Sequence, residues 1–213
     1  MLKTVFFDLD GTLSDPKVGI TKSIQYALER LDVPVPATDD LLWCIGPPLR
    51  ASFVELVDEA RADQGVALYR ERFGDVGLYE NDLYDGILET LQAFSDAGTR
   101  LFVAPSTPHV YASRIVEHFG IAGHFERVFG SELDGTRGDK SELLEYALQE
   151  TGADVTSSAM IGDREHDMIG AVNNGLFGIG ALYGYGTQEE LETAGARRVA
   201  ELPDKITNLL LGL

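Results

Sequence analysis

Hydrophobic and polar positions change rhythm twice along this chain. The opening stretch, Lys3-Thr4-Val5-Phe6-Phe7, is a short apolar run that meets Asp8, Asp10 and Gly11 at once. Such a run, closed by acids and glycine, predicts a buried strand stopping at Asp8. After Pro16 the period becomes helical. Ile20, Ile24, Ala27, Leu28 and Leu31 share one face, and Val33-Pro34 ends the pattern. Thr38 or Asp39 is placed to cap a short helix over Leu-Leu-Trp-Cys-Ile, Gly46-Pro47-Pro48 makes a turn, and 49–60 and 66–73 read as helices. No strand is expected between about 16 and 82.

From Tyr84 onward strands and helices alternate. Helices are predicted over 87–97, 110–119, 141–149 and 168–173, each followed by a glycine (Gly98, Gly120, Gly152, Gly175) where a C-terminal cap belongs. Between them lie short apolar runs: RLFVA, RVFG, SAMIGD and LFGIGAL. ARRVA and the LPDKITNLLLGL tail supply a last strand and helix. Alternation of this length predicts an α/β fold with a parallel sheet covered on both faces. Such sheets bind ligands outside the carboxyl ends of their strands. The simplest organisation is an α/β core, 1–15 plus 83–213, with a helical block, 16–82, inserted after the first strand.

Composition narrows the picture. With 213 residues, 44% of them hydrophobic, the chain can bury a large core. No apolar run approaches the roughly 18 residues of a membrane helix, and the N-terminus reaches acids too early for a secretory pattern. A cytoplasmic protein is expected. Cys44 is alone, so no intramolecular disulfide forms, and its apolar surroundings predict a buried structural thiol. The net charge of −18 repels nucleic acid and anionic membranes, so neither is expected as a partner. It repels phosphate esters too. A phosphate-handling site here has to build local positive charge from a metal and a few bases.

Three strand ends are rich in polar residues: Asp8-Leu9-Asp10-Gly11-Thr12, Pro105-Ser106-Thr107-Pro108, and Gly162-Asp163-Arg164-Glu165-His166-Asp167. Parallel packing brings them to one sheet edge, near Lys140 at the start of a helix. Four converging carboxylates, Asp8, Asp10, Asp163 and Asp167, repel one another unless a cation lies between them. Hard oxygen donors suit Mg2+. Asp163 and Asp167, four apart, share a face if the helix begins that early. A single acid at a strand end is an ordinary solvated loop residue; three polar ends and a lysine are not.

DLDGTLSD resembles the first motif of the haloacid-dehalogenase-like (HAD) hydrolase superfamily, and GDREHD resembles its GDxxxD metal motif. The resemblance covers the whole chain, and GLYENDLYDGI, GSELDGTRGDK and LYGYGTQEEL are similar to the phosphoglycolate-phosphatase-like branch. It implies a Rossmann-like parallel-sheet core with an inserted α-helical (C1-type) cap over 16–82. It also implies a Mg2+-dependent phosphatase of a small phosphorylated metabolite such as phosphoglycolate. Asp8 is then the nucleophile that forms an aspartyl phosphate. Asp10 is the acid and base, lending its carbonyl to the metal, and Asp163 and Asp167 complete the metal site. Lys140 neutralises nucleophile and phosphate. Gly11 lets backbone come close to phosphate, and Gly11, Thr12 and Ser106 are the expected phosphate-side contacts. In the inserted block, Gly46-Pro47-Pro48-Leu49-Arg50 resembles the substrate-selecting cap loop, with Arg50 fitted to grip a second anionic group.

The second strand end departs from the family. A Thr-Ser-Lys-Pro type of sequence is expected, and this chain has Pro105-Ser106-Thr107-Pro108. Proline offers neither hydroxyl nor N–H, and loss of one donor typically costs about 10²–10³ in rate. The Ser106 amide or hydroxyl is the expected substitute, with a cis bond before Pro105 as one way to re-aim it. The alternatives are a phosphate-binding or regulatory protein with weakened catalysis, and a phosphomutase, which keeps both aspartates. A monomer or homodimer is expected. Trp43 is expected in the core of the cap. His109, His118, His124 and His166 carry no metal spacing, the run Glu189-Glu190-Leu191-Glu192 reads as a solvated helix start, and Gly184-Tyr185-Gly186 reads as a loop at the core edge.

Overall fold

The computed structural model describes residues 2–210; the end of the expected C-terminal helix, 211–213, lies outside the described residues. Strand β1 (Thr4–Phe7) is buried at every position. It is flanked by two parallel neighbours, β4 (Arg100–Val103) and β6 (Ser158–Gly162). Beyond β4 lies β5 (Arg127–Val128), and beyond β6 lie β7 (Phe177–Ala181) and β8 (Arg198–Ala200). The six-stranded order is β5-β4-β1-β6-β7-β8, parallel throughout.

Successive side chains of a strand face opposite ways, so Phe6 and Phe7 serve the two faces of the sheet. Phe6 stacks on Phe102, ring centroids 5.3 Å apart, and shares a buried cluster with Met160, Leu143, Leu144 and Ala147. The last three belong to helix α6 (Lys140–Thr151). Phe7 meets Phe94 and Phe125 edge-on at 6.1 and 6.2 Å. Phe94 lies in helix α4 (Ile87–Asp96), so α4 and α6 cover opposite faces. Burial of each phenylalanine contributes about 1.5–3 kcal/mol.

The register places the site. Phe7 pairs with Val103 on one side and with Ile161 on the other. The next residues, Asp8, Ala104 and Gly162, therefore emerge in step at the carboxyl edge. The chain runs to one side of β1 through β4 and β5, then crosses to the other for β6, β7 and β8. That reversal leaves a crevice where open parallel sheets take their ligands.

The chain divides into two compact units, and Pro16–Asp82 is the smaller. It holds α1 (Lys17–Arg30), a 3-10 segment (Thr38–Cys44), α2 (Leu49–Leu56) and α3 (Ala62–Phe73). The helical face expected for α1 is the buried one, Ile20, Ile24, Ala27 and Leu28. Tyr69 stacks on Phe73 at 5.0 Å and meets Phe53 edge-on. Trp43 is not core: it is 39% exposed, because the three-residue period turns Leu41 and Cys44 inward and Trp43 out. Helix α2 stops at Leu56, short of residue 60. Two-residue strands β2 (Ser14–Asp15) and β3 (Asp82–Leu83) pair with each other, and β3 starts inside the stretch expected to hold no strand. Strands this short carry no periodicity to read. Among the described residues, no helix is long and apolar enough to cross a membrane.

Candidate active site

Asp8 follows β1 directly, and its backbone N–H donates to the Ile161 carbonyl at 2.8 Å, which continues the ladder one residue past the strand. Its carboxylate is 2.9 Å from the Lys140 ammonium, which also lies 2.8 Å from Asp167 and donates to the Ala104 carbonyl at 2.9 Å. Lys140 opens α6, whose N-cap Asp139 accepts from the Ser141 and Glu142 amides. Burial alone would lower the Lys140 pKa; the charges of Asp167 and Asp8 overcome this and raise it, so the ammonium stays charged.

Asp163 and Asp167 meet, though not on one helix face. Helix α7 (Glu165–Asn173) begins after Asp163. Asp163 sits just past β6, and Asp167, in the first turn, folds back to accept the Arg164 N–H at 3.1 Å. Asp8, Asp163 and Asp167 each offer an oxygen, all within 4.8 Å of one another, and all three are buried. Burial pushes the Asp8 carboxyl up to about 7, against the pull of Lys140 and with added repulsion from Asp167 and Asp10. Burial, then Asp8 and Asp167, hold Asp163 well above the usual carboxylate range. One ammonium cannot neutralise three carboxylates, and a set of hard oxygens with surplus negative charge fits a divalent cation.

Asp10 stands apart from that triad. One carboxylate oxygen accepts from the Thr107 hydroxyl. The other, Oδ1, is buried and without a hydrogen-bond partner. Burial raises its pKa, with the Thr107 bond opposing. Gly11 turns the chain with φ +88°, and a Cβ there would lie 2.2 Å from Asp163 Oδ2. The Thr12 hydroxyl is 3.4 Å from Asp163 Oδ1. Pro105 is buried and Ser106 half-buried, with the Ser106 carbonyl accepting from the Ser131 hydroxyl. There is no cis peptide bond among the described residues, so no such bond re-aims Ser106. Arg50 belongs to the Pro16–Asp82 unit, where its guanidinium holds Glu59 at 2.7 Å and Asp63 at 2.8 Å.

The family model for haloacid dehalogenase-like hydrolases matches residues 5–181. The chain belongs to that family. Among its relatives, a 5′-nucleotidase of Pseudomonas aeruginosa is 49% identical over 88% of this chain and 86% of its own. The tyrosine-protein kinase PtkA of Mycobacterium bovis is 37% identical over 88% of this chain, which spans 65% of that protein. The crystal structure of a predicted phosphatase from Clostridium acetobutylicum is 41% identical, with TM-score 0.96 over all of both chains. Relatives 30% identical include a phosphoglycolate phosphatase. The chain is a phosphoric monoester hydrolase of the HAD-like family.

Three contacts in this HAD-like hydrolase are not foreshadowed by its sequence. The Thr107 hydroxyl reaches Asp10, and its signal was a second hydroxyl one position beyond Ser106 along the departing motif. The segment 183–186 does more than edge the core. The Tyr185 N–H donates to Asp163 Oδ2 at 2.8 Å, and the Tyr183 hydroxyl donates to the Thr12 carbonyl at 2.8 Å. Backbone donors leave no mark in a sequence, so the Tyr185 amide's role was invisible.

Proposed function

We propose that this phosphatase hydrolyses small phosphomonoesters through an aspartyl phosphate on Asp8, with Mg2+ held by Asp8, Asp163, Asp167 and the Asp10 carbonyl. The observation that carries the reading is the buried triad of Asp8, Asp163 and Asp167 beside Lys140. When bound, the ion supplies positive charge to phosphate oxygens and to the attacking carboxylate. Asp8 attacks phosphorus, and the bond from phosphorus to the ester oxygen breaks. Asp10 gives its proton to that leaving oxygen. The Asp10 carboxylate then takes a proton from water, whose oxygen attacks phosphorus and frees Asp8 with inorganic phosphate. Its unpartnered Oδ1, with the other oxygen pinned by Thr107, suits both transfers. Lys140 opposes the burial that raises the Asp8 pKa and lends positive charge to the attacking carboxylate and to phosphate, and Gly11, Thr12 and Ser106 offer backbone or hydroxyl contacts to phosphate.

The Pro16–Asp82 unit is the proposed cap. Arg50 would contact substrate there only by exchanging Glu59 or Asp63 for a substrate anion. Small phosphorylated metabolites in the cytoplasm are the expected partners. Nucleoside 5′-monophosphates lead the panel because of the 49% identical relative, and 2-phosphoglycolate follows.

The test is phosphate release from that panel with and without Mg2+, comparing the wild type with Asp8→Asn. Release that needs Mg2+ and vanishes in Asp8→Asn is expected. A wild type inert at high enzyme concentration would favour a phosphate-binding role, and isomerised substrate without free phosphate would favour a mutase. In parallel, Pro105→Thr is expected to raise turnover at least about tenfold by restoring a donor.

A further inference from the structure

Tyr185 is bonded through two separate groups. Its amide donates to Asp163 Oδ2 at 2.8 Å, and its hydroxyl donates to the Asp15 carboxylate. Asp163 Oδ1 is approached from the other side by the Thr12 hydroxyl at 3.4 Å. The Asp163 side chain is therefore held at both oxygens, by β1's loop on one side and by the 183–186 segment on the other. That segment lies directly on the acid. A Cβ on Gly184 would fall 2.3 Å from the Gly11 carbonyl and 2.4 Å from Asp163 Cβ, and one on Gly186 would fall 2.0 Å from the Asp163 carbonyl. Tyr183 ties the same segment to Thr12, and its ring meets Tyr84 edge-on at 5.1 Å.

An amide can orient a carboxylate only as well as its own backbone is held. The Tyr185 hydroxyl, bonded to Asp15, is the side-chain tether on the residue that carries that amide, beside the Tyr183 bond to Thr12. We propose that Tyr185 is a positioning residue for metal binding: its bond to Asp15 fixes the loop whose amide sets the rotamer of Asp163. This rests on the metal reading above. Groups that orient a metal ligand from behind typically control affinity by about 10–100-fold.

Tyr185→Phe keeps the amide and removes the hydroxyl, so it tests the tether without touching the bond to Asp163. Mg2+ affinity of the full chain is measured by calorimetry, and the thermal midpoint of each metal-free protein is recorded beside it. Tyr185→Phe is expected to bind Mg2+ about tenfold more weakly, with its metal-free midpoint little changed. Asp15→Ala should weaken binding similarly, and the double variant no more than either single, because both break the same Tyr185–Asp15 bond. Asp15→Asn, whose side-chain carbonyl still accepts, should recover most of the affinity. Tyr185→Phe binding Mg2+ within about twofold of wild type, or losses that add in the double variant, would overturn the proposal. A lowered metal-free midpoint with unchanged affinity would assign the tyrosine to stability alone and overturn it equally. Wild type that binds no Mg2+ would overturn the metal reading itself, and this inference with it.

Discussion

Lys140 faces two buried carboxylates at once, Asp8 at 2.9 Å and Asp167 at 2.8 Å, and is itself 4% exposed. A pair of this kind is costly to assemble and costlier to halve, since removing one partner strands buried charge. Lys140→Met is expected to destabilise the metal-free protein by about 3–5 kcal/mol, measured by chemical denaturation in chelator. Mg2+ should recover part of the loss by neutralising the stranded acids. Asp8, Asp10, Lys140, Asp163 and Asp167 were legible as candidates because charge at the ends of apolar runs has few structural explanations. Thr107 was not, because a threonine between two prolines reads equally as a turn. Trp43 misled because its size favours burial while the period of its segment decides which way it points.

Among elements, α6 matters most to the site because its first residue is Lys140. Asp139 caps it by accepting from the Ser141 and Glu142 amides at 2.8 and 3.2 Å. Asp139→Ala is expected to cost about 1 kcal/mol of stability, read by denaturation, because two amides lose their acceptor. The strand–helix alternation after Tyr84 was legible almost throughout, since strands buried on both faces are continuous apolar runs and the glycines punctuate them. Gly152, for example, ends α6 in the left-handed region, at φ 61°. Boundaries set by side-chain capping were harder. Helix α7 begins at Glu165, ahead of the apolar pattern, because Asp167 secures its first turn through the Arg164 amide. No hydrophobic periodicity records that bond.

At the scale of the whole molecule, 35 acids against 17 bases make any cation bound in the acidic triad a stabilising ligand. Asp8 sets the sign of the pH response. Its folded pKa, about 7, lies above its ordinary value of 3.8, so the native metal-free state holds the proton more tightly than the unfolded chain. That contribution is complete below 3.8 and is lost as pH rises through about 7. Mg2+ needs the ionised carboxylate, so its affinity should rise across the same interval. An ion at about 100 times its Kd adds about 2.7 kcal/mol, which at about 2–4 °C per kcal/mol for this size gives a rise of roughly 5–10 °C. Thermal midpoints with Mg2+ and with chelator should therefore differ more at about pH 8 than at about pH 6. An equal difference at both would detach Asp8 from the ion.

The matched register of β1 with β4 and β6 limits how this chain can change in length. Side chains alternate across a sheet, so losing one residue between Thr4 and Phe7 exchanges the two phenylalanine faces and turns Asp8 away from Lys140. Extra residues between Pro16 and Asp82 shift no pairing in the six-stranded sheet. Insertions and deletions across descendants of this gene should therefore gather in that stretch, while the four-residue strand keeps its length.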